Sequence, residues 1–111
     1  MVFNDFLIYK FYNSLVAFPD FNKIIETYNA KGTYTIPSDG YLVGYLGIKN
    51  DGISIKATLN DAIVCYVVGA STSRNLVDAV GIPVKAGTVL IISSDVSSGL
   101  TIDLKLCGLL K

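Results

Sequence analysis

Few side chains in this 111-residue chain could carry chemistry: eight aspartates, Glu26, eight lysines, Arg74, Cys65 and Cys107, with no histidine. General acid–base work needs a group poised near neutrality, and without histidine it would fall on a carboxylate pair or on a lysine with no evident partner. The serines have no imidazole to activate them, so a Ser-His-Asp arrangement is excluded. No glycine spacing matches a phosphate-cradling loop. Two cysteines without histidine do not make an ordinary structural zinc site unless carboxylates or a second chain complete it. Most aspartates have a simpler use: Asp20, Asp39, Asp51 and Asp61 fall at turns, and Asp78 and Asp95 are expected in loops, where short carboxylates accept bonds from local amides. Calcium held by Asp51, Asp61 or Asp95 with backbone carbonyls is the one cation chemistry left open, although each of these residues is isolated. The residues therefore describe a non-enzymatic protein with no cofactor and no assigned metal ligand. Seven tyrosines are the remaining functional chemistry: in strands they pack first, and an exposed ring with its hydroxyl edge suits interfaces and stacking on sugars.

The elements that must position these groups read as strands. The chain is organised around Gly32 to Gly47: Thr33, Tyr34, Thr35 and Ile36 suit a pleated backbone, and Pro37 cannot donate to a ladder. Pro37, Ser38, Asp39 and Gly40 form a corner, in which Gly40 is expected to supply positive φ. Tyr41 to Ile48 is then an apolar run too short for a typical helix. Phe21 to Tyr28 reads as the strand before this unit. Asn50, Asp51 and Gly52 have the residue types of a tight hairpin turn. Ile53 to Leu59 alternates, with Ile53, Ile55, Ala57 and Leu59 on one side and Ser54, Lys56 and Thr58 on the other. Asn60 and Asp61 form a second tight turn into Ala62 to Val68, and Gly69 to Asn75 is a polar loop. Leu76 to Ile82 is ambiguous between a helical turn and a short strand. Pro83 to Gly87 reads as another corner, Thr88 to Ile92 as a strand dry on both sides, and Ser93 to Gly99 as a hairpin tip. The last strand, Leu100 to Leu110, points Ile102, Leu104 and Leu106 inward, with Cys107 and Leu109 making its outer face apolar too.

Short strands with turn signals every ~8 to 12 residues indicate one antiparallel two-sheet sandwich. Residues 1–18 form a separate segment. Phe3, Leu7, Phe11, Leu15 and Phe18 line one helical face, but Phe6, Ile8, Tyr9, Tyr12 and Val16 lie off it, so the segment is a greasy helix or else a strand, ending at Pro19. The reading is an amino-terminal helix, stalk or docking arm over residues 1–18 and a sandwich domain over residues 19–111.

Hydrophobic residues make up 51% of the chain and charged residues 16%, less charge than the surface of a solitary small domain normally carries. Part of the outside is therefore expected to sit against copies of the same chain. The Tyr41, Val43, Tyr45 face and the Cys107, Leu109 end are the candidates for that contact, or alternatively for the core. A net charge of zero gives no electrostatic footprint for nucleic acid or an anionic membrane. Ala62 to Ser73, the longest charge-free run, falls short of the ~18 to 20 apolar residues that span a bilayer. Asp5 and Lys10 spoil the pattern of a secretory signal, so none is recognised. Cys65 and Cys107 permit one disulfide or none, and read first as two buried thiols acting as small apolar side chains.

PDFNK at Pro19 to Lys23, YTIPSDGYL at Tyr34 to Leu42, ISIKATLN at Ile53 to Asn60, IPVKAGTVLII at Ile82 to Ile92 and LCGLLK at Leu106 to Lys111 occur in an order that resembles small jelly-roll heads. The family is that of bacteriophage fibre, spike and other virion-associated proteins, similar in fold to the trimeric tumour necrosis factor and complement C1q heads. The resemblance implies an all-β antiparallel jelly-roll β-sandwich, assembled as a homotrimer. It implies placement in the virion, contact with virion proteins, and loops presented to a host surface, with host-surface glycans as ligands. The matching residues are structural: Pro37, Asp39 and Gly40 at one corner, Pro83 and Gly87 at the other. The greasy amino-terminal segment departs from the family pattern, standing where a long fibrous shaft would be.

Overall fold

The computed structural model describes residues 18–110; the amino-terminal segment read above as a helix, stalk or arm lies outside the described residues. The described residues form eight strands: β1 (Pro19–Tyr28), β2 (Gly32–Thr35), β3 (Gly40–Ile48), β4 (Asp51–Leu59), β5 (Ala62–Ala70), β6 (Leu76–Val84), β7 (Val89–Ser94) and β8 (Leu100–Leu109). They form two antiparallel four-stranded sheets, ordered β1-β8-β3-β6 and β2-β7-β4-β5, so the chain is an all-β sandwich. No helix among the described residues is long and apolar enough to cross a membrane.

Alternation in the strands builds the core. Leu42, Leu46, Ile48, Leu104 and Leu106 point in from the first sheet, and Ile55, Ala57, Leu90 and Ile92 from the second, all of them buried. Leu42 lies opposite Leu106 across the β3–β8 pair, and Ala57 opposite Ile92 across β4–β7. Facing layers of this kind exclude water from the ~10 Å between packed sheets, which is the main term favouring the fold.

The connections correct the turn assignments. Only β4 and β5 are joined within one sheet; every other consecutive pair changes sheets. Asn60 and Asp61, at φ 48° and 70°, form that hairpin with both central residues left-handed, as a two-residue turn that follows the strand twist requires. Asn50 to Gly52 and Ser93 to Gly99 are not hairpins: they carry the chain from β3 to β4 and from β7 to β8, across the sandwich. Polar turn residues look alike in both situations, because what decides the destination is which strand the next segment pairs with.

Residues 76–84 resolve as an edge strand. Pro83 lies inside β6 opposite Tyr41, and is not a corner residue. Proline is tolerated there because an edge strand leaves amides unpaired on its open side. Asp78 lies in the same strand, opposite Leu46, and not in a loop. Gly40 does not adopt positive φ; it is buried where a Cβ would drive into the carbonyl oxygen of Cys107, so glycine is needed for close approach of two backbones.

The six sheet-changing connections gather at opposite ends. Residues 36–39 and 85–88 meet at one end: Ile36 N–H donates to the Thr88 carbonyl at 2.8 Å, Gly87 N–H to the Ile36 carbonyl at 2.8 Å, and Ala86 N–H to Asp39 Oδ1 at 2.9 Å. At the other end Lys49 N–H donates to the Gly99 carbonyl at 2.7 Å, and Lys31 Nζ donates to the Val96 carbonyl at 2.8 Å. At one end the backbone bonds extend the β2–β7 ladder and the Asp39 carboxylate ties the two connections together; at the other the Lys49–Gly99 bond extends the β3–β8 ladder and the Lys31 side chain holds the 95–99 connection.

Candidate functional site

The sandwich presents two outer faces, and they differ. On the first sheet, β3 places Tyr41 beside Cys107, Val43 beside Lys105 and Tyr45 beside Asp103. On its other flank β3 meets β6, where the partners of Tyr41, Val43 and Tyr45 are Pro83, Gly81 and Ala79. Small side chains there leave the flank of Val43 and Tyr45 open. Tyr45 is exposed, as is Val77 nearby at 57%. The apolar surface continues at the end where β1 and β8 meet, through exposed Phe18, Phe21, Ile24 and Leu110. Leu110 N–H donates to the Phe18 carbonyl at 2.6 Å, so the residue before β1 and the residue after β8 are held together in this patch.

The structure brings four of the expected contact residues onto this face and separates one from solvent. Cys107 is 1% exposed, flanked in register by Tyr41 on β3 and Ile24 on β1, yet it does not join the core between the sheets. It is therefore filled in by its own neighbours and offers no area to a partner. Leu109 is half-buried at the end of β8. The polar feature of the face is the Lys105 Nζ–Asp103 Oδ1 ion pair at 2.9 Å. That hydrogen bond holds the Lys105 ammonium pKa above its usual value.

Of the expected turn residues, Pro37, Asp39 and Gly40 and the later Gly87, at φ 88°, meet at the interlocked corners described above. Their geometry is structural: Asp39 Oδ1 accepts the Ala86 amide and ties the two corners together. The cysteines are free and buried. Cys65 faces the core and donates from Sγ to the Asp78 carbonyl at 3.1 Å. Burial, then the nearby Asp78 charge, pushes its thiol up to about 11. Burial likewise raises the pKa of Cys107. Both are poor nucleophiles, since reactivity belongs to the thiolate.

The outer face of the second sheet carries a shallow depression of about 330 Å³, lined by Ser54, Lys56, Ile63, Tyr66, Ser93, Ser94 and Asp95. Lys56, in the middle strand, is directly opposite Tyr66 on β5 and Ser93 on β7. Ser94 Oγ donates to the Ser54 carbonyl at 2.6 Å and fixes one wall. The sequence showed Ser54 and Lys56 on a wet strand face, but nothing local joins residues 54–66 to residues 93–95; only the pairing of β4 between β5 and β7 does. Among the described residues no three His, Cys, Asp or Glu side chains converge as a metal ion would need. No family model, no curated protein and no solved structure matches the chain.

Proposed function

We propose that the chain is a non-enzymatic structural protein of a bacteriophage or prophage virion, a jelly-roll head that self-assembles as a homotrimer and attaches to host-surface glycans. The observation that carries this reading is the outer face of the first sheet: Tyr41, Val43, Tyr45 and Val77 form an apolar band whose charged pair, Asp103 and Lys105, presents both signs side by side. Apolar surface of this kind is covered in permanent homo-oligomers, whose interfaces resemble a core cut in half, and in a threefold ring it would lie against a different patch of the next copy. Eight strands ordered β1-β8-β3-β6 and β2-β7-β4-β5, with nearly every connection changing sheets, support the jelly-roll reading, an architecture used by viral capsid proteins and lectins. The threefold symmetry and the virion placement rest on the order of the PDFNK, YTIPSDGYL, ISIKATLN, IPVKAGTVLII and LCGLLK stretches.

A second reading, a carbohydrate-binding sandwich module of a bacterial surface or secreted protein, is favoured by one observation, exposed Tyr66 beside hydroxyl groups and Lys56. The two part on assembly and location. Mass spectrometry of phage particles purified from cells carrying the gene should find the protein in fixed proportion to a capsid protein. Its absence from particles, with the chain recovered at the cell surface, would overturn the virion reading.

A further inference from the structure

We infer that the depression on the outer face of the second sheet is a saccharide site, taking a neutral sugar ring with adjacent free hydroxyls. The inference deepens the attachment half of the reading above and is separable from its self-assembly half. A pyranose has one flat C–H face and a rim of hydroxyls, each of which donates and accepts. The depression offers the matching set. The Tyr66 ring, 47% exposed, provides a flat apolar surface. Lys56 Nζ can only donate, the Asp95 carboxylate can only accept, and Ser93 Oγ can do both.

Neither Lys56 Nζ, Ser93 Oγ nor the Asp95 carboxylate forms a hydrogen bond or ion pair with another described residue, whereas the neighbouring Ser94 hydroxyl is committed to Ser54. Three polar groups thus line one concavity uncommitted to any other described residue, beside a Ser94 hydroxyl that is held by the Ser54 carbonyl. Three adjacent strands of one sheet carry the row Tyr66, Lys56 and Ser93, so its spacing is set by ladder geometry and not by a loose loop.

Charge and size narrow the ligand. One cation and one anion line the depression, so a polyanion gains at Lys56 and is repelled at Asp95, while a neutral polyhydroxyl ligand can use both. A volume of about 330 Å³ is at the small end for ligand sites, which suits a terminal mono- or disaccharide and not a long chain. The face is also opposite the apolar band of the first sheet, so assembly through that band leaves the depression open. Affinity at so shallow a site is expected near or weaker than about 1 mM per copy, raised on a multivalent glycan surface by the number of linked heads.

The test is a heteronuclear NMR titration of the full chain with galactose, glucose, mannose and N-acetylglucosamine, and with sialic acid as the acidic arm. At least one neutral sugar should shift the amides of Lys56, Tyr66, Ser93 and Asp95 together. Tyr66→Ala should weaken binding by roughly ten-fold or more, and Tyr66→Phe, which keeps the ring, should retain it. Because Tyr66 is exposed, the alanine variant should keep a native spectrum; Lys56→Ala supplies a second variant with the same expected loss. No response to any neutral sugar, response to sialic acid alone, shifts clustered elsewhere, or unchanged binding by Tyr66→Ala and Lys56→Ala would each overturn the site. Sedimentation of the same samples separates the two proposals: a sugar-binding monomer keeps the site and removes the self-assembling head, and a trimer without these shifts does the reverse.

Discussion

Asp78 Oδ2 accepts a hydrogen bond from the Tyr66 backbone N–H at 2.9 Å, so a carboxylate from the edge strand of one sheet occupies an open amide on the edge strand of the other. β5 and β6 are edges of different sheets and cannot pair as a ladder. The backbone carbonyl of the same aspartate takes the Cys65 thiol. One residue therefore closes the open side of the sandwich twice, and an edge that could template pairing with another chain is blunted.

Replacing Asp78 with alanine removes a charged acceptor and leaves that amide unpaired. The bond is solvent-exposed, so the expected loss in urea unfolding is about 0.5–1.5 kcal/mol, with light scattering showing more aggregation than the parent. Asp78→Asn keeps an acceptor oxygen and should lose less. Equal stability of Asp78→Ala and the parent would show that the contact contributes nothing.

Tyr28 makes the opposite case. Its ring packs on Tyr34, with centroids 4.9 Å apart, while its hydroxyl is buried without a hydrogen-bond partner among the described residues. Tyr34 differs, its hydroxyl donating to the Ala30 carbonyl at 2.6 Å. Tyr28→Phe keeps the packing and deletes the unsatisfied group, so thermal unfolding should show unchanged or higher stability, by up to about 1–3 kcal/mol. Tyr34→Phe should be destabilised instead, by about 0.5–1.5 kcal/mol.

Two glycines separate close approach from open space. At Gly40 a methyl group would meet the Cys107 carbonyl, and at Gly81 it would meet nothing within 4 Å. Gly40→Ala should cost about 1–3 kcal/mol by forcing β3 and β8 apart. Gly81→Ala should change stability by no more than about 0.5 kcal/mol. Denaturant midpoints of the two variants, measured side by side, check the contrast.

Alkaline pH should destabilise the fold through Cys65. Its thiol titrates from the ordinary value of 9.0 in the unfolded chain and at about 11 in the folded one. Above pH 9 the unfolded state sheds this proton first, so stability present below pH 9 is lost progressively until about pH 11. Tyr28, raised by burial, then by Glu26 and Tyr34, adds a loss of the same sign. The diagnostic is therefore the difference between parent and Cys65→Ala, whose stability should fall less steeply over this window. Parallel pH profiles would contradict the assignment.

What could be read from the sequence was what is local. The alternation of Ile53 to Ala57 and the left-handed pair Asn60–Asp61 are set by neighbouring residues and appear in the fold, whereas Thr58, on the side expected to be wet, is buried at the register shift that follows Ala57. The sandwich followed from them. The destinations of the other turns did not, because Asn50 to Gly52 and Ser93 to Gly99 carry the same polar residue types whether the chain folds back or changes sheets. Pro83 and Asp78 were misplaced for a related reason: an edge strand tolerates residues that would break a central one. The row of Tyr66, Lys56 and Ser93 joins residues far apart in sequence, and it exists only through the register of three strands.

The apolar band on the first sheet is tested most directly by sedimentation equilibrium of the full chain at micromolar concentration. The account predicts a species of three times the 11.9 kDa subunit mass, and its dissociation by Val43→Glu or Tyr45→Lys, which place charge on that band without touching the inter-sheet core. A single species of 11.9 kDa for the parent chain, unchanged by either substitution, would contradict it.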